Sequence, residues 1–117
     1  MNDIPLILQV RFFCTDAGNE PVRAWLSELP REDRKSVGTD IKTVQIGWPI
    51  GMPVVRKMGN DLWEVRTHMK DTIARVLFTV EGSTMVLLHG FIKKSDKTPA
   101  SDLDTAKKRK AALKRTR

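Results

Sequence analysis

Lysines 93, 94 and 97 follow directly on "LLHGFI", a run of large apolar residues that contains His89. Arg66 in "LWEVRTH" and Arg75 in "TIARVLFTV" lie on neighbouring strand-like segments, and Arg56 and Lys57 stand just upstream. Successive side chains of a strand point to opposite faces. Trp63 and Val65, with Thr67 as a third candidate, therefore share one face of "LWEVRTH", and Glu64, Arg66 and His68 share the other. Ala74, Val76, Phe78 and Val80 form the apolar set of the next segment and leave Arg75 opposite. With the apolar sets turned toward helices, Arg66 and Arg75 look out from one open surface, rimmed by Arg56, Lys57, Lys93, Lys94 and Lys97. Cations gathered in this way can hold phosphate and offset charge that develops on it.

Each of these residues also has a plainer reading. Glu64 and Arg66 make an ordinary surface ion pair, which is worth little. The three lysines end a strand in solvent. His89 alternates with Leu87 and Phe91 and reads equally as a hydrogen-bonded core histidine or as a ligand or base. His68 lies near a turn and calls for no special role. Convergence favours the functional reading of the set, because structural ion pairing would bring matching carboxylates with it. On this geometry Arg66 is dispensable for folding, and its replacement by alanine should cost a surface-like amount, within about 0.5 kcal/mol.

Other chemistries lack their residues. The chain has no Cys/His pairs spaced for zinc, no clustered carboxylates for magnesium, no Gly-rich phosphate loop and no G-x-S-x-G nucleophile motif. No metal and no cofactor is expected. A cation-rich site without a metal suits cleavage of RNA by its own 2′-hydroxyl: the substrate brings the nucleophile, and the protein positions it, moves protons and balances charge on the phosphate.

The net charge of +7 is segregated. Residues 1–92 hold equal numbers of bases and acids, 11 of each, whereas residues 93–117 hold ten bases against Asp96, Asp102 and Asp104. Such a footprint fits a polyanion, whether RNA, DNA, a membrane surface or an acidic protein, and equally a helix with a solvated basic face. Lys107, Lys108 and Arg109 are the RNA-binding candidates in this tail.

At 117 residues the chain suits one domain, 1–117, with a single core. Its one cysteine, Cys14, cannot form an intramolecular disulfide, which fits a reducing cytoplasm. The opening "MNDIPLILQVRFF" lacks the basic flank and cleavage site of a signal peptide, and no segment is long and apolar enough for a bilayer, so a cytoplasmic protein without a membrane partner is expected.

The elements follow from local pattern. Residues 4–13 are β-branched and aromatic enough for a strand. A helix over "GNEPVRAWLSEL" takes Asn19 as its N-cap, and Pro30 opens a second helix with the stripe Val37, Ile41 and Val44. Four strand-like pieces, "VVRKM", "DLWEVRTHM", "TIARVLFTV" and "TMVLLHGFI", are joined by "GND", "KD" and "EGS" at hairpin spacing. A basic helix runs from about Thr98 to Lys114, acids first and bases last, as the helix dipole prefers. The expected fold is α+β: two N-terminal helices on a twisted antiparallel sheet, the other sheet face open, plus a basic C-terminal helix.

The stretches "LWEVR", "ARVLFTV" and "LLHGFIKKSDKTP", followed by the basic helix, resemble the HigB-type toxins of phage-derived toxin–antitoxin modules in the RelE/ParE superfamily. The resemblance is close over residues 55–110 and weak over 1–50; its most specific part is "HGFxKKxxKTP", standing as His89 to Pro99. It implies a RelE-like fold and a ribosome-dependent mRNA endonuclease that enters the ribosomal A site, contacts rRNA and inhibits translation. It also implies a cognate helix-turn-helix antitoxin, through which alone the toxin meets operator DNA. By position it makes Arg66 and Arg75 phosphate-binding residues, puts Lys93, Lys94 and Lys97 in the loop of catalytic and RNA-binding bases, and makes Arg56 and Lys57 the upstream basic pair; the catalytic candidates are Arg66, Arg75, Lys94 and His89, and the RNA-binding ones here Arg56, Lys57, Lys93 and Lys97. Some relatives use a C-terminal tyrosine for proton transfer; this chain has no tyrosine, so the base stays open among His89, Glu64 and a lysine. The competing class is a non-catalytic toxin of the same fold, either a gyrase poison or a degenerate form that only binds its antitoxin.

Overall fold

The computed structural model describes residues 6–94 and 97–115. The elements run β1 (Gln9–Phe12), α1 (Pro21–Glu28), α2 (Arg31–Gly47), β2 (Val55–Gly59), β3 (Leu62–His68), β4 (Ile73–Glu81), β5 (Thr84–Lys93) and α3 (Ala100–Arg115). The expected start of the first strand at Ile4 lies outside the described residues, as does Asp96.

Helix α1 begins at Pro21, whose fixed φ and missing N–H suit a first turn. Its N-cap is Glu20, without a side-chain cap bond, rather than Asn19. Asn19 is held one step earlier: its N–H donates to Thr15 Oγ1 at 3.1 Å and its carbonyl accepts from the Thr15 N–H at 2.8 Å. In α2 the stripe Val37, Ile41 and Val44 is buried. Strands β2 to β5 form an antiparallel meander. The β4–β5 turn places Gly82 at φ +59°, a left-handed conformation that glycine adopts without strain. On the helix side Trp63 stands opposite Phe78 across β3 and β4, and the edge of Trp48 meets Trp63 at 5.0 Å between ring centroids.

The sheet is mixed, not antiparallel as the sequence pattern suggests. Its order is β1-β5-β4-β3-β2, and β1 runs parallel to β5, with Val10 opposite Met85 and Phe12 opposite Leu87. Hairpin signals specify only the pairs they connect. The partner of β1 comes last in the chain, and a parallel neighbour is reached through a crossover rather than a turn.

The layering also differs from two N-terminal helices on one face of a sheet open on the other. Three helices pack on the sheet, and α3 covers the face expected to be open. One core, including Val22, Val37, Val44, Val65, Val76, Phe78 and Leu87, lies against α1 and α2. A second core is built from Phe13, Leu62, Leu77, Val86, Leu88 and Phe91 and is closed by Ala106 and Leu113 of α3. Strand β4 is consequently buried on both faces from Ile73 to Thr79.

A bulge joins the two cores. The β4–β5 register shifts between Leu77, opposite His89, and Phe78, opposite Leu87, so Leu88 is an extra residue. One extra residue reverses the facing of everything beyond it. Leu87 belongs to the helix-side core and Phe91 to the α3-side core, so His89 does not alternate with both.

Beyond the bulge, Gly90 lies under the indole of Trp25: a Cβ there would sit 2.4 Å from Trp25 Cε3. Gly90→Ala must displace that ring or the strand, and overpacking of this kind costs about 1–3 kcal/mol. Urea denaturation should show that loss, and Trp25→Leu in the same background should recover part of it. An unchanged midpoint for Gly90→Ala would contradict the packing.

Candidate functional site

The residues expected on an open surface form a buried polar network. Arg66 and Arg75 are direct register partners on β3 and β4, and Glu64 lies two residues from Arg66 on the same face. Glu64 and Arg75 are fully buried, and Arg66 is 8% exposed. Two arginines directly opposite on a sheet repel, and burying them demands a partner of opposite charge. Glu64 supplies it: Oε1 lies 3.7 Å from Arg66 Nε, and Oε2 accepts a hydrogen bond of 2.6 Å from the Thr98 hydroxyl. Thr98 Oγ1 in turn accepts from Arg75 Nη1 at 3.4 Å. Phe91, opposite Arg75 on β5, places its ring centroid 5.9 Å from the guanidinium carbon.

Two expectations fall here. Arg66 and Arg75 are not presented on an open face, and their set does not lack a carboxylate. Strand alternation located their side correctly, but α3 and the segment leading into it cover that side. Arg66 is therefore not removable at surface cost.

His89 is held in a second cluster. Its Nε2 is 2.7 Å from Asp102 Oδ1, and its Nδ1 is 3.3 Å from Arg109 Nη1. A guanidinium offers donors only, so the Arg109 contact is a hydrogen bond in the tautomer that leaves Nδ1 bare and donates Nε2–H to Asp102. Both nitrogens thereby face partners on α3, so His89 takes part in docking that helix. Arg109 also donates to the Leu88 carbonyl at 2.8 Å, and its guanidinium carbon stands 6.0 Å from the Phe13 ring centroid. Burial lowers its pKa from the ordinary value. Arg109 thus faces the sheet.

Among the remaining candidates, Arg56, Lys57, Lys93, Lys94, Lys97, Lys107 and Lys108 are exposed. Arg56 opposes Glu64 and lies on the arginine side, whereas Lys57 opposes Trp63 and points to the α1–α2 side. Lys93 opposes Ile73, two residues beyond Phe91 on the arginine side, and Lys94 and Lys97 belong to the loop that follows. The structure therefore groups Arg56, Lys93, Lys94 and Lys97 near the buried network and leaves Lys57 apart. Lys107 and Lys108 lie along α3; Lys107 and Lys110 line a shallow groove with Gly59, Asn60 and Leu62. The side chains of Lys114 and Arg115, and all of Arg117, lie outside the described residues. Among the described residues no three His, Cys, Asp or Glu side chains cluster as metal ligands do, and no helix is long and apolar enough to cross a membrane.

Sequence reasoning missed Thr98 and Asp102 as partners. The Thr-Pro pair marks a helix start, but nothing local says that its hydroxyl reaches back to a strand 34 residues earlier.

The family model "Phage derived protein Gp49-like (DUF891)" matches residues 24–111, from α1 almost to the end of α3. The chain belongs to this family. It is a toxin-like family related to the RelE/HigB type. Among curated proteins no match is found. The matched span of this Gp49-like chain contains the whole meander, the buried network, the lysine loop and the α3 clasp.

Removing one partner of a buried ion pair leaves an uncompensated charge and costs about 3–5 kcal/mol. Glu64→Ala should lower stability by that amount in chemical denaturation, with Arg66→Ala well above a surface value. Lys94→Ala, at an exposed position, should stay within about 0.5 kcal/mol. Equal stability of Glu64→Ala and wild type would show that the network is not held together by this carboxylate.

Proposed function

We propose that the protein is the toxin of a type II toxin–antitoxin module, a HigB-like, ribosome-dependent mRNA endonuclease that inhibits translation in the cytoplasm. Its partners are mRNA, the rRNA of the ribosomal A site and a helix-turn-helix antitoxin that alone carries it to operator DNA. The observation that carries this reading is the group of exposed lysines at the end of β5 (Lys93) and on the loop after it (Lys94 and Lys97), which is rooted in the buried Glu64–Thr98–Arg75 network. Membership of a toxin-like family supports it.

In the proposed reaction the RNA 2′-oxygen attacks the adjacent phosphorus and the bond to the 5′-oxygen breaks. The products are a 2′,3′-cyclic phosphate and a 5′-hydroxyl. Lys94, with Lys93 and Lys97, takes the negative charge that grows on the phosphate. Arg75 acts from beneath by holding Thr98 at the end of the loop, and Arg66 by pairing with Glu64, rather than as direct phosphate ligands. His89 and Glu64 are committed to other partners, so the 2′-proton passes to solvent, and a loop lysine ammonium or water protonates the departing 5′-oxygen.

The burial of both arginines and the engagement of His89 favour a second reading, a non-catalytic toxin that binds DNA gyrase or only its antitoxin. Induction in a bacterium separates the two. The nuclease reading expects growth arrest relieved by the antitoxin, and discrete 5′ ends within translated mRNA. Double-strand DNA breaks with intact mRNA would establish the gyrase alternative. With purified ribosomes, cleavage should persist in EDTA and vanish when the 2′-hydroxyl at the cut site is replaced by hydrogen. Lys94→Ala should lose about 10²–10³ in rate, as removal of a transition-state donor does. A 2′-deoxy substrate that is still cut would sink the mechanism.

A further inference from the structure

We infer that Thr98 is a positioning residue, whose hydroxyl, by bridging Glu64 and Arg75, sets where the lysine loop sits against the substrate phosphate. The inference rests on the RNA-cleavage reading above. Thr98 stands directly after Lys97 and before Pro99, at the point where the loop from β5 turns into α3. It is 8% exposed, whereas Lys93, Lys94 and Lys97 are exposed. One hydroxyl performs two tasks at once, donating to Glu64 Oε2 at 2.6 Å and accepting from Arg75 Nη1 at 3.4 Å.

The chemistry of that bridge is demanding. A hydroxyl is a donor and an acceptor on a single atom; valine matches the shape of threonine and can do neither. The two groups it joins belong to β3 and β4, the interior strands of the meander, and both are fully buried. The loop is thereby referenced to the buried interior of the sheet rather than to solvent. Proline at 99 limits the backbone of the residue before it, so the hydroxyl enters the network from a restricted conformation. Loss of the bridge should let Lys94 and Lys97 drift without removing either, and a misplacement of about 1 Å at a reacting centre can cost about 10²-fold in rate.

The test compares Thr98→Val with Thr98→Ser in the full chain, using ribosome-bound mRNA for cleavage and limited trypsin digestion for loop placement. Thr98→Val should lower the maximal single-turnover rate about 10²-fold while leaving the half-saturating concentration of ribosome complex unchanged. Thr98→Ser, which keeps the hydroxyl, should restore most of the rate. Early tryptic cuts after Lys94 and Lys97, identified by mass spectrometry, should accelerate in the valine variant and not in the serine variant. Full activity of Thr98→Val, or serine as impaired as valine, overturns the positioning role. A tryptic pattern that is the same in all three proteins overturns the tether itself. A wild type that cuts no RNA removes the cleavage reading instead, and the tryptic comparison then decides the tether on its own.

Discussion

One buried carboxylate organises the α3 side of the sheet. Arg66 and Arg75 face each other across adjacent strands, an arrangement that repels and that costs several kcal/mol of desolvation for each ion. Glu64 makes it tenable, and its second oxygen is held by a hydroxyl from the far end of the domain. That requirement brings Thr98 back to the sheet, fixes where α3 begins and closes the face over the arginines. The same interaction explains why the loop lysines are exposed while the arginines are not: the network consumes the arginines and leaves the lysines at its edge.

Helix α3 is a poor candidate for apolar docking. Its inward side offers Leu103, Ala106, Ala112 and Leu113, a thin stripe among many bases. Polar bonds supplement it. Arg109 reaches the Leu88 carbonyl and His89, and Asp102 receives the other nitrogen of the same ring. The bulge at Leu88 is what turns both Leu88 and His89 toward α3. Charges that look in sequence like a polyanion footprint are thus divided in purpose: Arg109 holds the helix down, while Lys107 and Lys108 remain exposed.

The chain by itself determined what local chemistry controls. Strand alternation sorted Trp63 and Val65 from Glu64 and Arg66, and Ala74, Val76 and Phe78 from Arg75, and the two cores respect that sorting. Hairpin turns specified the four-strand meander, and "HGFIKKSDKTP" carried a resemblance whose coarse level the family match supports. Tertiary structure decided the rest. The parallel partner of β1, the covering of the second face and the burial of Arg66, Arg75 and Glu64 all depend on contacts between distant segments. A signal for the second core was present: "VLF" and "VLLHGF" are apolar at both parities, the mark of strands buried on two sides. What would fill that second side was not legible, because the helix that does so is held by single polar bonds from Asp102 and Arg109, and by Thr98 just before it. Periodicity reports which face of a strand a residue occupies. Whether that face meets water or another element is settled only when the chain closes on itself, and it is that closure which turned two presumed surface arginines into the buried support of the lysine loop.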